Sequence, residues 1–222
     1  MRIAQNYVLA MIVGAAAAGF AFLGQAATSQ DSQTTSSNSV SQADAVFAGG
    51  CFWCVEADFD KVEGVLQTIS GYTGGDLANP SYEQVSHTDT GHLEAVRVIY
   101  DPEIVSYEEL VDYFWRHIDP LNPNGQFCDI GPSYRTAIFV ETPEERAIAE
   151  ASKTALDEGG TLAGPIVTRI IDQETFWPAE GYHQNYYIEN SRRYNFYRER
   201  CGRDARIEAV WQNTPAIDVA TH

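Results

Sequence analysis

Gly49-Gly50-Cys51-Phe52-Trp53-Cys54-Val55-Glu56 constrains this chain more than any other stretch of it. Ala45-Val46-Phe47-Ala48 reads as a short apolar strand, the glycine pair as a tight turn, and Cys51 onward as a helix running to about Lys61, before Gly64. A strand that turns directly into a helix commits the chain to layered α and β structure. It also sets a thiol where backbone N–H groups are unpaired and the helix dipole is positive, which favours the nucleophilic thiolate. Phe52 and Trp53 stand where solvated polar residues are usual, so a small apolar substrate group held against sulfur is expected.

Further elements follow from pattern. Ser106-Tyr107-Glu108-Glu109 is a capping box, followed by Leu110, Phe114 and Ile118 at helical spacing and by Pro120 as a stop. Thr142-Pro143-Glu144-Glu145 opens a second helix that Gly159-Gly160 ends. Strands are expected at Leu66 to Tyr72, Leu93 to Tyr100, Arg135 to Val140 and Ile166 to Ile171. In the second of these, Glu94 shares its phase with Val96 and Val98, so a core-facing strand buries its carboxyl and raises its pKa. The tyrosine- and asparagine-rich stretch from Tyr182 to Tyr197 reads as loop or short helix.

The 222 residues divide by composition. Arg2, an apolar run over residues 7–23 and small residues at Gly24-Gln25-Ala26 make residues 1–27 a signal peptide, with an uncleaved membrane anchor as the alternative. Residues 28–44 are a flexible polar linker, residues 45–212 one folded domain and residues 213–222 a tail. The protein is expected to be exported to the periplasm. A formal net charge of -17 repels phosphate backbones and argues against nucleic acid as a partner. Four cysteines, Cys51, Cys54, Cys128 and Cys201, are too few for a disulfide scaffold of this size. Both methionines, Met1 and Met11, fall in the signal segment, which suits a protein working among oxidants.

The Gly-Cys-Phe-Trp signature followed by glutamate resembles that of the peptide methionine sulfoxide reductase A family. Ser81-Tyr82-Glu83-Gln84-Val85, Gly91-His92-Leu93-Glu94-Ala95-Val96, Gly125-Gln126-Phe127-Cys128-Asp129, Tyr134-Arg135-Thr136-Ala137-Ile138-Phe139, Tyr182-His183-Gln184 and Cys201-Gly202-Arg203-Asp204 are similar to the family's other motifs, in the family's order. The resemblance implies an α+β two-layer sandwich with ferredoxin-like topology and a long irregular C-terminal segment. It implies reduction of methionine S-sulfoxide, free or in proteins, by attack of Cys51 on sulfur while Glu94 donates a proton. It gives Tyr82 and Tyr134 hydrogen bonds to the sulfoxide oxygen, Asp129 a role in ordering the site through water, and Phe52 and Trp53 the pocket for the substrate methyl. It implies no cofactor and no metal, and thioredoxin or a thioredoxin-like protein as external reductant; a monomer is expected, with the oligomeric state left open.

Cys201 reads as the resolving cysteine, but many family members carry glycine at the position of Cys54. The Cys51-x-x-Cys54 pair therefore competes, and the order stays open. Cys128 is expected to be a buried, inert thiol, with a relay role as the alternative, and His183 to orient the C-terminal segment rather than catalyse. A thiol–disulfide oxidoreductase would use the Cys-x-x-Cys but leave Glu94 and the tyrosines idle. A zinc module would need closer cysteine pairs, and a cysteine hydrolase a signalled histidine base.

Overall fold

The computed structural model describes residues 41–214 and residue 220. The expected signal peptide or anchor at residues 1–27, most of the linker and most of the tail lie outside the described residues. In chain order the strands are β1 (Ala43–Gly49), β2 (Val65–Thr73), β3 (Leu93–Tyr100), β4 (Gly125–Gln126), β5 (Asp129–Ile130), β6 (Thr136–Val140), β7 (Arg169–Asp172) and β8 (Trp177–Pro178). The helices are α1 (Phe52–Phe59), α2 (Tyr82–His87), α3 (Tyr107–Arg116), α4 (Pro143–Glu158), α5 (Tyr186–Glu189), α6 (Ser191–Cys201) and α7 (Arg203–Trp211). β1 begins at Ala43, so Ala43 and Asp44 belong to the sheet rather than to the linker.

Six strands form one mixed sheet in the order β7-β6-β1-β3-β2-β8, antiparallel except for the parallel β6–β7 pair. Side-chain alternation assigns its two faces. Ala45, Phe47, Val96, Val98, Tyr100, Ile138 and Val140 meet α1 and α3 in the main core, with Val55, Phe59, Leu110, Phe114 and Ile118. Val46, Ala48, Leu93, Ala95, Ala137 and Phe139 form a smaller cluster on the other face. The expected capping box at Ser106, which accepts from Glu109 N–H at the head of α3, is formed, and the expected helix start at Thr142 proves to be a second one, with Thr142 accepting from Glu145 N–H at the head of α4.

The C-terminal segment corrects one expectation. It is not irregular: after a turn at Gly181–His183 it runs as α5, α6 and α7. Tyr194, Tyr197 and Cys201 recur at helical spacing along α6, so one stripe faces inward although the rest is exposed and charged. The segment lies over α1, which is why every residue of that helix except Trp53 is buried, Glu56 and Asp58 included. Gln184 fixes it to the edge of β2, accepting from Ser70 N–H at 2.9 Å and donating to Ser70 O at 2.9 Å.

Candidate active site

Cys51 is the N-cap of α1 and offers no side-chain cap; its thiol is left for chemistry. The turn that delivers it requires glycine. Gly50 has φ +87°, and a Cβ there would lie 2.5 Å from the Gln126 Cβ. Gln126, wholly buried, is locked by a hydrogen bond from Asp119 N–H at 2.8 Å and one to Asp119 O at 2.8 Å. The strand end, the turn and the Gly125–Ile130 hairpin therefore meet at the nucleophile.

Glu94 projects from β3 toward the same point. Its Oε2 accepts from Phe52 N–H at 3.0 Å, taking up a free donor of the helix's first turn. The carboxyl is 1% exposed and its Oε1 has no hydrogen-bond partner among the described residues. Burial, with the nearby charges of Asp129 and Cys54, pushes its pKa up to about 8, so it holds a proton at neutral pH.

The tyrosines close the other side. Tyr82 opens α2, behind a capping box in which Ser81 Oγ accepts from Gln84 N–H. Glu180 steadies it by accepting Tyr82 N–H at 2.9 Å through one oxygen and Tyr72 O–H at 2.9 Å through the other. Burial pushes the Tyr82 hydroxyl up to about 12 and raises the Tyr134 hydroxyl as well, so both remain donors. Asp129 is half-buried and accepts from the Tyr197 hydroxyl; burial pushes its carboxyl up.

Phe52 is 1% exposed, with its ring centroid 4.9 Å from His183 and 6.4 Å from Tyr82. Trp53 stacks flat on Tyr186 at 3.7 Å, meets Tyr197 edge-on at 5.9 Å and donates from Nε1 to His183 Nδ1 at 3.0 Å. His183 thus orients an aromatic wall and does not reach the nucleophile as a base. Tyr186 and Tyr197 join this wall from the C-terminal helices, and sequence reasoning missed both. The helical spacing of Tyr194, Tyr197 and Cys201 was the available signal for the second.

The cysteines depart most from expectation. Cys128 and Cys201, 73 residues apart, form a disulfide, while Cys51 and Cys54 are free and buried. Cys128 is exposed, so it is neither buried nor inert, and in this state Cys201 is engaged with Cys128 and not with Cys51. Cys128, Asp129 and Cys201 bring three potential metal-donor atoms within 4.8 Å of one another, but both sulfurs are committed to the disulfide. The helix start does not make Cys51 a thiolate. Burial, then its hydrogen bond to Cys54 and the charges of Cys54, Glu94 and Asp129, push its pKa up. Cys54 goes the other way: the hydrogen bond from Cys51 and, against burial, the charges of Arg203 and Arg198 hold it below the ordinary thiol value.

A nucleophilic sulfur, a protonated carboxyl, two phenol donors and an aromatic wall converge on one point. The family model for peptide methionine sulfoxide reductase matches residues 43–215. The chain belongs to the peptide methionine sulfoxide reductase A family. A relative in this family, from Ligilactobacillus salivarius, is 54% identical over 172 residues, covering 78% of this chain and 99% of its own length. The Vibrio cholerae peptide methionine sulfoxide reductase MsrA/MsrB is 46% identical over 178 residues, covering 80% of this chain; the chain spans 47% of that protein's length. Among solved structures, methionine sulfoxide reductase A of Corynebacterium diphtheriae aligns with a TM-score of 0.61 at 31% identity, covering 68% of this chain and 76% of that one.

Proposed function

We propose that this chain reduces methionine S-sulfoxide, free or within proteins, at Cys51. It is a peptide-methionine (S)-S-oxide reductase, and the observation that carries the mechanism is the buried, protonated Glu94 beside the Cys51 turn. The Cys51 thiol gives up its proton to water, its sulfur attacks the sulfoxide sulfur, and Glu94 delivers its own proton to the oxygen. Tyr82 and Tyr134 donate to that oxygen as negative charge grows on it. In the collapse the hydroxyl passes from the substrate sulfur to the Cys51 sulfur and the bond between the two sulfurs breaks, leaving methionine and a Cys51 sulfenic acid, the first reversible rung of cysteine oxidation. Phe52 and Trp53, backed by Tyr186, hold the substrate methyl, and a one-sided aromatic wall distinguishes methyl from oxygen and hence one epimer from the other.

Cys54 resolves first in this reading. Its sulfur attacks the Cys51 sulfenic sulfur, the hydroxyl leaves as water with the Cys54 proton, and a Cys51–Cys54 disulfide forms. Support comes from the closeness of the two cysteines in one helical turn, where Cys54 N–H donates to Cys51 O at 3.0 Å, and from the engagement of Cys201 elsewhere. A disulfide between residues 7% and 2% exposed is out of reach of a protein reductant. The reduced Cys128 and Cys201 thiols take it over by exchange, and exposed Cys128 then offers a sulfur to thioredoxin or a thioredoxin-like dithiol. Sulfur and proton donors of the chain and its reductant supply every step.

The β6-β1-β3-β2 order, with α1 and α3 on one face, supports reading the core as a two-layer sandwich of ferredoxin-like topology. Export rests on the composition of residues 1–27. The resolving order is tested by mixing prereduced protein with one equivalent of methionine S-sulfoxide and mapping disulfides within milliseconds. A Cys51–Cys54 bridge is expected first, and Cys54→Ser is expected to leave a dimedone-trappable Cys51 sulfenic acid. An initial Cys51–Cys201 bridge would overturn the order.

A further inference from the structure

Glu56 closes the signature around Cys51, yet it has no part in the chemistry described so far. It is wholly buried, and its Oε2 has no hydrogen-bond partner among the described residues. A carboxyl is costly to remove from water, so what its other oxygen does is informative. Trp53, Glu56 and Asp60 stand at helical spacing and share one face of α1. Each takes hold of one residue in the stretch that crosses that face. Trp53 Nε1 donates to His183 Nδ1 at 3.0 Å, Glu56 Oε1 accepts Asn185 N–H at 3.1 Å, and Asp60 Oδ2 accepts the Tyr187 hydroxyl at 2.8 Å. Asp60 is itself fixed to the sheet, because its Oδ1 accepts from Thr68 Oγ1 at 2.6 Å.

Asn185 is the residue of that stretch most in need of an outside hold. Its backbone is left-handed, with φ +52° and ψ +30°, which an L side chain adopts at a cost. It is the N-cap of α5, but its own side chain makes no cap, and four residues of helix do not sustain themselves. Tyr186 follows immediately, so the direction of its ring depends on the Asn185 backbone. That ring shares a cluster with Cys54 and Ala57 and lies flat on the Trp53 indole, 3.7 Å between centroids and 6° between planes. The indole is thus gripped by His183 through its N–H and by Tyr186 across its face. Glu56 ties the stack to the helix that Cys51 caps, so wall and nucleophile share one rigid reference.

We propose that Glu56 is a positioning residue for the aromatic wall that receives the substrate methyl. It acts through Asn185 and Tyr186 and keeps the Trp53 indole in place beside the Cys51 sulfur. The kinetic consequence rests on the sulfoxide reductase reading; the hold on Trp53 does not. What the position requires is an acceptor oxygen aimed at Asn185 N–H. Glutamine offers that oxygen in nearly the same volume, whereas methionine fills the space with only a weak acceptor. Methionine also avoids both a cavity and a buried carboxyl, so Glu56→Met isolates the lost acceptor.

Two readouts separate these claims. The first is the near-UV circular dichroism of Trp53, isolated as the difference between a chain and its Trp53→Phe counterpart. Glu56→Met is expected to lose most of that band and Glu56→Gln to keep it. The second is the methionine burst of prereduced protein, followed against the concentration of methionine S-sulfoxide. Glu56→Met is expected to raise the half-saturating concentration about tenfold with the limiting rate kept within about twofold, and Glu56→Gln to restore the original value. A merely structural defect would lower the limiting rate instead. A Trp53 band unchanged in Glu56→Met would overturn the proposal, as would an unmoved half-saturating concentration or a defect that Glu56→Gln shares in full. If Glu56→Met does not fold, Glu56→Ala carries the same expected changes. Absence of methionine from the unmodified chain would remove the sulfoxide reading alone, because the Trp53 band still decides the role of Glu56.

Discussion

At the scale of single residues, Cys51 and Glu94 divide the labour by environment. Both are buried, and burial outweighs the Phe52 N–H bond to keep a proton on Glu94 and pushes Cys51 up as well, while Cys54 beside it is held below the ordinary thiol value. Position was legible before structure. The glycine pair fixed the thiol at a helix start, and the shared phase of Glu94, Val96 and Val98 aimed the carboxyl at the α1 face. Protonation was less legible: the helix-start argument favoured a Cys51 thiolate, but burial outweighs a partial charge confined to the first turn. The raised Glu94 pKa has a kinetic sign. The proton it delivers is present below about pH 8 and lost as pH rises through that value, so the methionine-forming burst should fall on the alkaline side. Glu94→Gln removes that proton and is expected to slow the burst by about 10²–10⁴, the usual contribution of a positioned acid. The residual activity should show no decline near pH 8. Rapid-quench rates across pH 6 to 9 check both points, and an unchanged alkaline limb in the variant would assign the limb to another group.

The elements that sequence described well are those whose pattern is local. The capping boxes at Ser106 and Thr142 announce α3 and α4 within four residues, and alternation announces β1 and β3. The helices of the C-terminal segment were hidden because their stability is tertiary. Tyr194, Tyr197 and Cys201 make one narrow inward stripe among asparagines, arginines and tyrosines that have modest helix propensity. What holds that stripe down is the stacking of Tyr186 on Trp53, the grip of Gln184 on Ser70, the Asp58–Arg198–Arg203 cluster and the Cys128–Cys201 bond. None of these is visible from spacing. The disulfide closes a 73-residue loop, for which chain entropy gives about 4 kcal/mol, an amount that native strain and residual structure usually reduce. Cys128→Ser/Cys201→Ser should therefore lower unfolding free energy by about 2–4 kcal/mol in urea titration. A loss below roughly 0.5 kcal/mol, the ordinary range for surface substitutions, would mean that the bond is not a brace.

At the scale of the whole molecule, the proposed cycle passes two electrons from surface to core. The sulfoxide pocket and the Cys51/Cys54 pair lie at the head of α1, beneath the C-terminal helices. Exposed Cys128 stands at the rim, on the same hairpin as Asp129. Composition had indicated a single acidic domain with too few cysteines for a disulfide scaffold, but not how four cysteines pair, because pairing depends on which loop folds onto which helix. If both pairs take part, a fully reduced chain holds electrons for two methionines, and a chain lacking Cys128 and Cys201 for one. The most direct test is to mix prereduced protein with excess S and R epimers of a methionine sulfoxide separately, without added reductant, and to count methionine per chain. Two from the S epimer, none from the R, and one from the S epimer with Cys128→Ser/Cys201→Ser are predicted. No methionine from the S epimer would contradict the account at its centre.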